Sequence, residues 1–147
     1  QVRVRAAAAA PRLLLEGVGY SVPFERIVEC YLQEQWTAAL ALFPPSPHTV
    51  RKELTKIFEY MAYAIPIVCS AFPNLRRIVE QEDCGLCVDP KDTAAAAAAV
   101  RWLADNPQQA RAMGRRGREA ARREYNWDTQ ARRLLDLYEE VLRESSS

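Results

Sequence analysis

Residues 38–70 read AALALFPPSPHTVRKELTKIFEYMAYAIPIVCS, and this stretch decides the fold. Ala38–Phe43 is apolar at every position, as a parallel strand buried on both faces is. Pro44, Pro45, Ser46 and Pro47 turn the chain into a loop that also carries His48. Leu54–Tyr63 has helical spacing, Pro66 closes the connection, and Ile67–Cys69 opens a second apolar strand. Strand, crossover helix and strand form a βαβ unit, which requires a parallel sheet.

The same alternation extends in both directions. Leu13–Leu15 through Val18 reads as a strand, and Pro23–Gln33 as a helix with proline in its first turn. Leu75–Gln81 is a short helix, and Gly85–Val88 a strand closed by Asp89-Pro90. The remainder is helical: Thr93–Asp105 on an alanine run, Pro107–Tyr125, and a last helix from Trp127 to about Arg143 capped by Asn126. In that helix Trp127, Ala131, Leu134, Leu135, Tyr138, Val141 and Leu142 fall on one stripe. The expected fold is therefore α/β: a Rossmann-like parallel sheet with a helical C-terminal region. Doubly wound sheets usually need five or six strands. Val2–Arg5 alternates Val and Arg like a half-exposed strand, so the sheet is expected to be incomplete at its N-terminal end. The expected organisation is a remnant of an earlier strand or linker over 1–12, one domain over 13–144, and a disordered tail over 145–147.

Composition narrows the function. With 147 residues, 49% apolar and 27% charged, the chain has the profile of one globular domain. A net charge of +1 gives no global case for nucleic acid. No apolar run approaches the ~20 residues of a membrane span. Val2-Arg-Val-Arg5 followed by alanines is not a signal peptide, and a start at Gln1 without Met reads as part of a longer protein. Four cysteines without disulfide density point to a reduced, cytoplasmic setting. Cys84-Gly-Leu-Cys87 has metal or redox spacing. A structural zinc needs a second close pair, however, and a thioredoxin pair sits at a helix N-terminus, whereas this one leads into a strand. With one histidine, no Gly-x-Ser-x-Gly elbow and no Walker loop, most self-contained hydrolase and kinase readings fall away. Gly17-x-Gly19 lacks the third glycine of a dinucleotide fingerprint.

The polar residues that remain gather where a strand ends and a helix begins. Ligands of open parallel sheets bind outside the carboxyl ends of strands, and helix N-termini suit phosphates. Thr55, Lys56 and Lys52 add a hydroxyl and two cations there. Glu59 follows at i+4 from Thr55 and i+3 from Lys56, on the same face, where a carboxylate can accept ribose hydroxyls. On spacing alone an ordinary Lys56–Glu59 pair on a solvated face is the simpler account.

The order of landmarks adds to this. Thr55–Ala62 (TKIFEYMA) followed by Ile65–Ser70 resembles the donor-binding segment of family-four retaining glycosyltransferases, which have two Rossmann-like domains in the GT-B arrangement. Gly19–Pro23, Leu40–Pro47, Asn74–Glu80, Cys84–Pro90, Met113–Gly117 and Tyr125–Trp127 are similar to that family's other landmarks, in order, from about Leu13 to Leu142. The resemblance implies the C-terminal, nucleotide-sugar-binding domain of such an enzyme. Its donor contacts would be Lys52, Leu54, Thr55, Lys56 and Glu59, with Ser46, His48 and Arg51 in the donor loop. Glu59 matches the family glutamate that binds the ribose hydroxyls. The partner glutamate falls at Arg51, and Ala64 stands where the family has a helix-ending glycine. The family's glycine-rich turn with Lys-Gly, which grips the diphosphate, has no counterpart, nor has the acceptor-binding domain with its catalytic histidine. His48 reads as a loop histidine, and no residue here is assigned a catalytic role.

The resemblance thus implies transfer of a sugar from a nucleoside diphosphate sugar, with no metal or other cofactor, and turnover only together with an N-terminal Rossmann domain. The competing reading is a non-catalytic α/β interaction or regulatory module derived from such a domain. Arg111, Arg115, Arg118 and Arg122 recur at helical spacing. They form either a solvated basic face or a peripheral contact with anionic lipid at the inner face of a membrane.

Overall fold

A computed structural model describes residues 20–33, 35–52 and 54–145. The strands expected over Val2–Arg5 and Leu13–Val18 and the Gly17-x-Gly19 motif lie outside the described residues. The chain divides into two compact units, Gln1–Glu34 and Gln35–Ser147. The first contributes helix α1 (Phe24–Gln33). The Pro23 carbonyl starts it, accepting from Arg26 N at 3.1 Å and Ile27 N at 3.3 Å.

The second unit runs β1 (Ala39–Ala41), α2 (Pro47–Arg51), α3 (Thr55–Ala62), β2 (Ile67–Ser70), α4 (Pro73–Gln81), β3 (Gly85–Val88), α5 (Thr93–Asp105), α6 (Pro107–Arg123) and α7 (Trp127–Ser145). Among the described residues the strands form one parallel sheet in the order β1-β2-β3. Ala39, Leu40 and Ala41 register with Ile67, Val68 and Cys69, and these in turn with Gly85, Leu86 and Cys87. Every residue of β2 is buried. Val68 joins the sheet to α5 and α6 through Ala99, Leu103, Ala110 and Met113.

Two expectations need correction. The strand expected over Ala38–Phe43 shrinks to Ala39–Ala41, and Leu40 is 52% exposed although a strand buried on both faces was expected. Among the described residues β1 pairs on one side only, and of its three residues Ala41 alone is buried. The loop carrying His48 is partly helical, because Ser46 caps a turn that prolines alone would not predict. α7 forms where expected, and its apolar stripe is exposed apart from the half-buried Ala131, with Trp127 74% exposed. Its start is as expected, since Asn126 Oδ1 accepts from Thr129 N at 2.9 Å. Its end at Ser145 leaves only 146–147, outside the described residues, of the expected tail.

Two helix ends set the sheet against α6. After α3, Ala64 N donates to Met61 O at 3.0 Å and Ile65 N to Tyr60 O at 2.9 Å, with Ala64 at φ 58°. This is a Schellman cap with alanine in the left-handed position that normally takes glycine. After α4 the same bonds recur, Asp83 N to Glu80 O and Cys84 N to Val79 O, with Asp83 at φ 44°. Asp83 then binds Arg116 of α6 through both its carbonyl, at 2.9 Å, and its carboxylate, at 2.8 Å. At the first cap α6 comes so close that a Cβ on Gly114 would lie 2.0 Å from the Ala64 carbonyl oxygen. Phe58 stacks on Tyr125 with centroids 5.2 Å apart, holding α3 to the turn after α6.

At the opposite end of the strands Ser70, fully buried, ties β2 to the chain leaving β1. Its hydroxyl accepts from Phe43 N at 2.8 Å and donates to Phe43 O at 3.1 Å.

Two stability predictions follow from these contacts. Ala64→Gly relieves the left-handed strain and raises stability by about 1 kcal/mol in urea unfolding, whereas Gly114→Ala forces backbone apart and lowers it by about 3 kcal/mol. Ser70→Ala leaves both backbone groups of Phe43 without a partner and costs about 2 kcal/mol, with faster hydrogen exchange at the Phe43 amide.

Candidate functional site

The described polar residues of interest collect at the carboxyl ends of the strands. From β1 the chain passes through Pro44 and Pro45 to Ser46, which closes a reciprocal cap on α2. Thr49 N donates to Ser46 Oγ at 3.0 Å, and Ser46 N donates to Thr49 Oγ1 at 2.9 Å. Thr49 Oγ1 also donates to Pro44 O at 2.8 Å. These bonds hold the loop as a defined wall. The side-chain amide of Asn74, in the first turn of α4, donates to the Lys52 carbonyl. The junction between α2 and α3 is thereby anchored to the helix that follows β2.

Two open cavities adjoin this wall and share Pro45. One, of about 340 Å³, lies between Pro45, Ala71, Phe72, Asp89, Pro90 and Lys91, at the ends of β2 and β3. The other, of about 420 Å³, is lined by Pro45, Ser46, Pro47, Val50 and Arg51. The Asn74 Oδ1 oxygen is shielded from solvent and has no partner among the described residues.

The residues expected to bind a ligand fall into two sets. Lys52, Leu54, Thr55 and Lys56 are near-contiguous at the α2–α3 junction. Leu54 occupies the N-cap position of α3 without a side-chain cap bond, while Lys52, Thr55 and Lys56 are exposed. Glu59 is half-buried one turn further on. Its charge is felt next door, where burial first and Glu59 second raise the Tyr60 hydroxyl above its ordinary pKa. The Tyr60 hydroxyl reaches back to the Leu40 carbonyl at 3.4 Å, which fixes the helix over β1. The second set lies on α2. Ser46 and Arg51 share the larger cavity, with the Ser46 hydroxyl engaged in the cap, and His48 is exposed on the same short helix.

Three residues that order the site escape the sequence reading: Ser70, Thr49 and Asn74. Ser70 carries a signal in retrospect, as a lone hydroxyl ending an apolar strand whose burial demands partners. Thr49 and Asn74 act by reaching other segments, and nothing local marks them. Arg111, Arg115, Arg118 and Arg122 are exposed on α6, and the last three line a shallow hollow with Glu119. Their neighbours Arg116 and Arg123 are committed to Asp83 and Glu82, each at 2.8 Å. Among the described residues no three His, Cys, Asp or Glu side chains gather as a metal-binding group, and no helix is long and apolar enough to cross a membrane.

Comparison with known proteins places this geometry. Residues 55–120 match the family described as glycosyl transferases group 1. The chain is 32% identical over 85 residues to D-inositol 3-phosphate glycosyltransferase of Corynebacterium kroppenstedtii, covering 58% of this chain and 19% of that protein. It superimposes on sucrose-phosphate synthase from Thermosynechococcus elongatus with a TM-score of 0.71 at 26% identity, over 87% of this chain and 30% of that one. The chain thus spans about a fifth of the length of the first relative and under a third of the second. The matched family segment begins at Thr55, the first residue of α3, and runs through β2, β3 and their glycine-mediated packing into α6. Residues 55–120 of this chain are thus similar to the glycosyl transferases group 1 family, and its fold is similar to part of a sucrose-phosphate synthase.

Proposed function

We propose that this domain is the donor-binding part of a glycosyltransferase that moves a sugar from a nucleoside diphosphate sugar to an acceptor. One observation carries the reading: Lys52, Leu54, Thr55 and Lys56 stand at the α2–α3 junction with Glu59 one turn further along α3, where the family segment begins and where an open parallel sheet takes its ligands.

Chemically, the step breaks the bond between the sugar's anomeric carbon and the diphosphate oxygen, and the leaving group gathers negative charge. The first turn of α3 offers backbone N–H groups unused by the helix and the positive end of its dipole. Lys56 and Lys52 add fixed cations, and Thr55 adds a hydroxyl. Preorganised positive charge of this kind stabilises the leaving group without solvent reorganisation and with no metal required. Glu59, set back one turn, accepts the ribose hydroxyls and so orients the nucleotide along the helix. Acceptor binding and turnover belong, in this reading, to the full-length protein with a second domain.

Calorimetric titration of the full-length protein with UDP and with GDP tests the proposal. Glu59→Ala is expected to weaken the preferred nucleotide at least tenfold, as loss of a hydrogen bond to a charged group does. Lys56→Ala weakens the diphosphate more than the corresponding nucleoside. Unchanged affinity in Glu59→Ala overturns the ribose role. Tight nucleotide binding without any sugar transfer would favour the non-catalytic module instead, a reading to which the strained Ala64 cap lends some weight.

A further inference from the structure

The sequence draws attention to Cys84 and Cys87, but the fold separates them. They stand three residues apart at a strand, so their side chains leave opposite faces. Cys84 is buried toward α6, where its Cβ lies 3.2 Å from the place a Cβ on Gly117 would take. Burial and then the Glu82 carboxylate push its thiol up to about 12. Cys87 instead meets Cys69. The two are register partners on the adjacent strands β3 and β2, and their sulfurs are 3.5 Å apart.

We infer that Cys69 and Cys87 form an oxidisable dithiol site that closes to an intrachain disulfide when a small peroxide reaches it. Register partners on neighbouring strands lie about 4.8 Å apart, inside the roughly 4.4–6.8 Å between Cα atoms that a disulfide spans. The sulfurs need approach by only about 1.5 Å to reach bonding distance. The two thiols also differ as an attacking and a resolving cysteine do. Cys69 is fully buried, whereas Cys87 is partly exposed and is the one an oxidant can reach. The hydrogen bond between the two sulfurs, in which either can donate, holds the Cys87 thiol below its ordinary value, against burial and the Glu80 carboxylate, with Arg76 assisting. The same hydrogen bond and burial raise Cys69.

The chemistry balances with hydrogen peroxide as oxidant. The Cys87 thiolate attacks one peroxide oxygen, a sulfur–oxygen bond forms, the oxygen–oxygen bond breaks, and hydroxide leaves. Cys87 is then a sulfenic acid, oxidised by two electrons. The Cys69 sulfur attacks the Cys87 sulfur, the sulfur–oxygen bond breaks, and the hydroxyl leaves as water with the Cys69 proton. The proton first lost by Cys87 neutralises the hydroxide, so two thiols and one peroxide give one disulfide and two waters. The cross-link falls one residue before Ser70, the hydroxyl that ties the two strand ends together.

Treatment of the folded chain with hydrogen peroxide, in a Cys30→Ser background to remove the one cysteine outside this unit, tests the inference. The expected result is loss of two hydrogens from the intact mass and of two titratable thiols, both restored by dithiothreitol. Fragmentation of a tryptic digest is expected to assign the link to Cys69 and Cys87. The same treatment in urea is expected to lose that preference. Cys69→Ser should stop at a Cys87 sulfenic acid that dimedone traps. Retention of all thiols in the folded chain, a link through Cys84, dimedone-trapped Cys87 without a link when Cys69 is present, or equal linkage in urea would each overturn it.

Discussion

Burial of β2 on both faces and along both edges is the constraint from which the rest of this domain follows. A strand so enclosed must hand its backbone groups to neighbours on each side, and β1 and β3 supply them in parallel register. Parallel strands need crossovers, which places α3 between β1 and β2 and α4 between β2 and β3. Both helices therefore start at the same end of the sheet. The one polar side chain of the strand, Ser70, stands at that end with no water to satisfy it. Its two bonds to Phe43 answer the burial cost and, in doing so, fix where the next loop begins. The position of the candidate site is thus a by-product of how an enclosed strand satisfies its last residue.

The other end of the sheet is organised by helix ends. Two Schellman caps, at Ala64 and Asp83, reverse the chain from α3 and α4 into β2 and β3, and α6 passes both. Asp83 tolerates the left-handed conformation better than most residues and puts its carboxylate to use on Arg116. Ala64 has no such compensation. Its carbonyl sits against Gly114, where only a residue without a side chain leaves room. Strain on one side and a glycine on the other are two parts of one contact, which keeps α3 and α6 in register.

Elements set by local signals were legible in the sequence, and those set by distant partners were not. Thr93–Asp105 could be read directly because Asp92 caps an alanine run and Asn106 ends it. Gly85–Val88 could be read because turn residues bound an apolar run. Leu40 misled because its apolar character says nothing about whether a helix covers it. The α7 helix was legible from its stripe, although spacing reveals an amphipathic helix and not what lies against it. In the site, the run from Lys52 to Glu59 was legible because it is continuous in sequence. Asn74 reaching the Lys52 carbonyl, and Ser70 reaching Phe43, span 22 and 27 residues, and no local pattern encodes them. The cysteines make the same point: the Cys84-x-x-Cys87 spacing is conspicuous and idle, while the strand register joins Cys87 to Cys69.

The charge layout around α2 and α3 bears on what such a site can hold. Within the twelve residues from His48 to Glu59 stand Arg51, Lys52 and Lys56 and two acidic residues, Glu53 and Glu59. Where the resembled family sets a second glutamate, this chain sets Arg51, which faces the larger cavity beside Ser46. A glutamate there would accept hydrogen bonds from hydroxyls, whereas an arginine donates and carries positive charge. The exchange puts donors and positive charge at this wall in place of acceptors. Arginine's planar fork suits a carboxylate or a phosphate in two-point contact, which a hydroxyl cannot supply.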